Sequence, residues 1–68
     1  MIESIDYGTQ TIEFEVQRKK ACKNTYITVE RDIGVVVKTN VDISIEELKT
    51  LVKSKAKWIL KKFEEIGQ

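Results

Sequence analysis

Ser44-Ile45-Glu46-Glu47-Leu48-Lys49-Thr50-Leu51-Val52-Lys53-Ser54-Lys55-Ala56-Lys57-Trp58-Ile59-Leu60-Lys61-Lys62-Phe63-Glu64-Glu65-Ile66-Gly67 is the stretch in which the period of the chain changes. From Ile45 onward Leu48, Val52, Ala56, Ile59, Phe63 and Ile66 recur at steps of three and four, the stripe of an amphipathic helix. Its start is well marked. Ser44 fits the N-cap and Glu47 the N3 position of a capping box, with Ile43 and Leu48 at the staple positions. Gly67 is placed to end the helix as a C′ residue. With no glycine or proline inside the stripe, the pattern predicts one helix of about 22 residues, ~33 Å long.

Working back toward the N-terminus, the period falls to two. Ile12, Phe14 and Val16 alternate with Glu13, Glu15 and Gln17 over Thr11–Arg18, a strand with one wet face. Ile2–Tyr7 followed by Gly8-Thr9-Gln10 predicts a shorter strand and a turn, completing a first hairpin. Arg18–Asn24 has no apolar period and reads as a loop. Thr25–Arg31 alternates again, with Ile27 and Val29 on one side and Tyr26, Thr28 and Glu30 on the other. Asp32-Ile33-Gly34 supplies a turn in which Gly34 is free to take positive φ. The β-branched run Val35-Val36-Val37 then opens a strand ending near Thr39. The expected class is α+β: an antiparallel β-meander of three or four strands packed against one long C-terminal α-helix. Residues 1–68 form a single small domain on this reading.

Length and composition bound what such a domain does. A chain of 68 residues buries only roughly 60% of the surface its unfolded form exposes. Total stability is then about 3–10 kcal/mol. Twelve Lys and Arg against eleven Asp and Glu give a net charge of +1, so no global field draws the chain to nucleic acid or an anionic membrane. No apolar run approaches the ~20 residues needed to span a bilayer. One cysteine, Cys22, excludes an internal disulfide and points to a reducing, cytoplasmic setting.

The chain contains no histidine. A four-ligand zinc site of nitrogen and sulfur donors and the Ser-His and Cys-His nucleophile pairs are excluded within one chain on that ground. Neither a phosphate-cradling glycine loop nor a calcium-loop spacing is present. Carboxylate pairs do occur. Glu13 and Glu15 share a strand face at a separation (~7 Å) compatible with acid and base roles, against the plainer reading of a solvated sheet face. Glu46 and Glu47 fall in the first helical turn, where negative charge complements the helix dipole; Glu64 and Glu65 form a third pair. Cys22, between Lys20 and Lys23, is either a thiol activated by neighbouring cations or an incidental loop cysteine.

Two interaction surfaces emerge. On a helical wheel Leu51 and Trp58 fall together, roughly 60–100° from the stripe centre and two turns apart, with Lys55 and Lys62 beside them. This flank either closes one edge of the core or docks another domain or a second copy of the chain, as a homo-oligomer would. Arg18, Lys19, Lys20 and Lys23 make the only basic cluster outside the helix. A sheet backed by a helix is an architecture that enters DNA. Here Glu13, Glu15 and Glu30 on the wet face, opposed by Lys38, repel phosphate, so nucleic-acid binding is the weaker alternative.

The order of motifs is similar to one family. Val16-Gln17-Arg18-Lys19-Lys20, Thr25-Tyr26-Ile27-Thr28-Val29, Gly34-Val35-Val36-Val37, Ser44-Ile45-Glu46-Glu47 and, most specifically, Lys55-Ala56-Lys57-Trp58-Ile59 resemble the N-terminal segment of the YgjP-like predicted metal-dependent hydrolases, relatives of zincin metallopeptidases. The resemblance covers about Ile12 to Glu65. It departs at Asn40, where the family's strand usually runs into proline. It implies a zinc-binding His-Glu-x-x-His helix beyond the matched segment, none of whose residues exists here. The expectation is a non-catalytic accessory domain without a cofactor of its own, docking onto a catalytic metallopeptidase segment.

Overall fold

The computed structural model describes residues 1–67. Four strands, β1 (Ile2–Tyr7), β2 (Gln10–Arg18), β3 (Tyr26–Glu30) and β4 (Gly34–Thr39), are followed by two helices, α1 (Ile45–Ser54) and α2 (Ala56–Ile66). The strands lie where the alternation placed them, but the meander does not form. The sheet is mixed, in the order β1-β2-β4-β3. β1 pairs antiparallel with β2, and β3 antiparallel with β4, while β2 and β4 run parallel.

The strand order follows from burial. Val35 and Val37 are 2% and 0% exposed, and Val36, which points to the opposite face, is 1% exposed. A central strand has its side chains flanked by those of both neighbours, and Val36 on the far face lies between Glu15 of β2 and Thr28 of β3. β3 is short, polar on one face and only half-buried on the other, which suits an edge. The connection 19–25 has to pass beneath the end of β4 to reach that edge. Hairpin loops usually need only two to five residues, whereas this segment skips one strand, a span of about 9.6 Å. Backbone and side chains of β4 hold it there: Lys19 N–H donates to Thr39 O at 2.9 Å, and the Thr25 and Thr39 hydroxyls pair at 2.8 Å. Asn40 donates to Lys20 O at 3.2 Å and to Cys22 O at 3.0 Å. Gly8 and Gly34 take φ of 63° and 91° at the two hairpin connections, Gly34 using the positive φ that glycine leaves open.

The core face gathers Ile5, Ile12, Phe14, Val16, Val35 and Val37 against Leu48, Val52, Ala56 and Ile59, with Ile27, Val29, Ile43, Ile45 and Leu60 at its margin. The stripe read from the sequence is the buried one up to Ile59; Phe63, in the last turns, is 40% exposed. The helix itself is not continuous. It is broken at Lys55 (φ −105°, ψ 8°) into segments of 10 and 11 residues. The local cause is Ser54, whose hydroxyl donates to Leu51 O at 2.6 Å, while Lys55 N–H is shared between Leu51 O and Val52 O. A hydroxyl returning to the preceding turn competes with the backbone ladder and bends it.

Ser44 caps α1 as expected, its hydroxyl accepting Glu47 N–H at 3.1 Å. Substitution Ser44→Ala should cost about 1 kcal/mol, read as a fall in thermal midpoint of a few degrees. Gly67 ends α2 with right-handed dihedrals (φ −70°) rather than a left-handed cap, its N–H bonded to Phe63 O.

Candidate functional site

The flank carrying Leu51, Lys55, Trp58 and Lys62 lies on the side of the helices turned away from β1. The opposite flank is the one that meets β1: Lys49 Nζ stands 3.4 Å from Glu3 Oε1. Farther along that flank, Lys53 borders a hollow with Ser4, Ile5 and Asp6, and Leu60 and Lys61 border one with Tyr7. Within each helix, residues at 100° intervals place Leu51 of α1 and Trp58 of α2 away from that flank; Leu51 borders a hollow with Glu46, Glu47, Thr50 and Ser54, and α2 is the helix that approaches β3.

The four residues differ in what they are free to do. Leu51 is half-buried, and its carbonyl carries the bend at Ser54 and Lys55. Lys55 is exposed at the break itself. Trp58 is 42% exposed, unlike its neighbours Ala56 and Ile59 at 0%. Lys62 Nζ sits 5.7 Å from the Trp58 ring centroid, within cation–π range, and 3.5 Å from Glu65 Oε2. An indole with one face covered by an ammonium and a large part of its surface in water is suited to a partly apolar, partly charged contact.

The basic cluster dissolves into separate roles. Arg18 lies on the core face at the end of β2, and its Nη1 donates to Ile43 O at 2.5 Å, Asn40 O at 3.2 Å and, at 3.4 Å, Val41 O. This guanidinium ties β2 to the segment entering α1. Lys19, Lys20 and Lys23 are exposed around the crossover. Periodicity gave no sign of the Arg18 contacts, because the carbonyls it meets lie 22 to 25 residues away and belong to backbone.

The carboxylates do not converge. Glu15 meets the N-terminal ammonium at 3.2 Å, Glu13 is exposed on the same face, and Glu46 and Glu47 lie in the first turn of α1. The Cys22 thiol donates to Asn24 O at 2.9 Å within its own loop. Among the described residues no group of three or more His, Cys, Asp or Glu side chains gathers to hold a metal. With no histidine and one cysteine in the chain, the donors present do not fit zinc. Among the described residues no helix is long and apolar enough to cross a membrane.

No family model matches the chain, and neither a curated protein nor a solved structure matches it.

Proposed function

We propose that this chain is a non-catalytic accessory domain that docks onto the catalytic segment of a YgjP-like zinc metallopeptidase through the flank of Leu51, Lys55, Trp58 and Lys62. The reading joins the resemblance of Lys55-Ala56-Lys57-Trp58-Ile59 to one observation, the exposure of Trp58. Ala56 and Ile59 owe their place in that motif to the core, where both are fully buried; Trp58, at 42% exposure, does not. Zinc and hydrolysis belong to the catalytic segment, and the reducing cytoplasm is the setting in which the unpaired Cys22 is stable.

Reading the coding DNA past codon 68 is the first test: a His-Glu-x-x-His downstream supports the parentage, and an immediate stop codon favours a stand-alone binder. The second uses that downstream segment, produced separately and titrated with this chain. Trp58→Ala should weaken the association by roughly 30-fold, the scale of an aromatic hot spot, while shifting the thermal midpoint little. A loss of stability as large as the loss of binding would put Trp58 in the core and remove the proposal.

A further inference from the structure

The two edges of the sheet are protected unequally. β1 carries Glu3 on the core face, beside Phe14 in the register, and Lys49 reaches over the edge to pair with it. An inward-pointing charge is one of the devices by which natural edge strands refuse another strand. β3 carries no inward-pointing charge, and its shortness is the protection it has. It contains no proline, no bulge separates it from β4 in the register, and its core-facing residues Ile27 and Val29 are aliphatic and half-buried. In the interior of the same sheet the corresponding positions Val35 and Val37 are 2% and 0% exposed.

β3 is also complementary to itself. An antiparallel pairing about Thr28 sets Thr28 against Thr28, Ile27 against Val29, and Tyr26 against Glu30. The aliphatic pair falls on the core face and the threonine pair on the other, and both are favourable cross-strand combinations. Lys38, which neighbours Tyr26 in β4, then lies on the same face as the incoming Glu30 with opposite charge. β1 is less suited: centring it on Ser4 sets Glu3 against Ile5, centring it on Ile5 sets Glu3 against Tyr7, and both registers leave Glu3, already paired with Lys49, at the seam.

We infer that the outer edge of β3 pairs with β3 of a second copy of this chain about a two-fold axis at Thr28, joining two four-stranded sheets into one of eight. The contact goes beyond the docking surface proposed above and is carried by the strand, not by the Trp58 flank.

Sedimentation velocity on the full chain, from low micromolar to near-millimolar concentration, should show the mass rise from one chain to two. Thr28→Lys and Thr28→Glu each place like charges against one another at the axis and should each raise the dimer dissociation constant several-fold. An equimolar mixture of the two should restore association to at least the wild-type level, because only the mixed pair sets opposite charges face to face. Circular dichroism melts of each variant establish that the fold persists. A wild-type chain that stays monomeric throughout, or a mixture that gains nothing over either variant alone, overturns the inference. So does a dimer abolished by Trp58→Ala yet indifferent to both Thr28 variants, which would move the contact to the helices.

Discussion

Val36→Asp should remove a large share of the chain's stability and sharply lower its unfolding midpoint. In a meander this position belongs to the wet face, where an aspartate costs little. In the observed sheet Val36 stands between Glu15 of β2 and Thr28 of β3 in the register and is 1% exposed. The substitution gives up about 1.5–3 kcal/mol of valine burial. It also places a poor strand former mid-strand, worth up to ~1 kcal/mol, and sets a carboxylate against Glu15, worth about 0.2–1 kcal/mol. Together these reach about 2–5 kcal/mol, a large share of the about 3–10 kcal/mol available to a domain this small. Far-ultraviolet circular dichroism with urea titration reads the outcome. Val36→Thr keeps the shape and the strand preference and should leave a folded chain of reduced midpoint. An aspartate variant as stable as the parent would mean that β4 is not flanked on both sides.

The same residue explains what was legible in the sequence and what was not. Ile12, Phe14, Val16 and the stripe from Leu48 to Ile59 alternate at the periods of strand and helix, and they are the core. Periodicity assigns a residue to a face but names no neighbouring strand, so the order β1-β2-β4-β3 escaped it. Two signals did carry the order. Val36 is apolar where a one-sided strand would be polar, and the connection from Arg18 to Tyr26 is longer than a hairpin requires. The break at Lys55 lay outside composition rules, since its cause is one serine hydroxyl choosing a carbonyl three residues back. On the candidate site, the wheel placed Trp58 off the stripe, and its exposure agrees. Arg18 was read as one of four basic loop residues because charge clustering is visible in a sequence and backbone acceptors are not.

Arg18→Ala should lower stability by about 1.5–3 kcal/mol, the range for a hydrogen bond from a charged donor and for an acceptor left unpaired. For a domain of this size that is a fall in thermal midpoint of roughly 6–24 °C. The segment 40–44 must reverse the chain from the end of β4 into α1; Ser44 O accepts Leu48 N–H at 3.1 Å, and the carbonyls of Asn40, Val41 and Ile43 turn to the guanidinium. Asn40 O and Ile43 O both accept from Arg18, while the Asn40 side chain is committed to the crossover on its other side and to Asp42 N–H. One cation therefore fastens β2, and one amide fastens the 19–25 connection, to the same short segment. Arg18→Lys should recover only part of the loss, because an ammonium on a flexible stem does not reproduce the planar fork. Lys19→Ala and Lys20→Ala, whose side chains are exposed, should each change stability by less than about 0.5 kcal/mol. Were Arg18→Ala to melt with the wild type, its distances to the three carbonyls would contribute nothing. The cluster would then revert to four equivalent surface cations, available as a group to an anionic ligand.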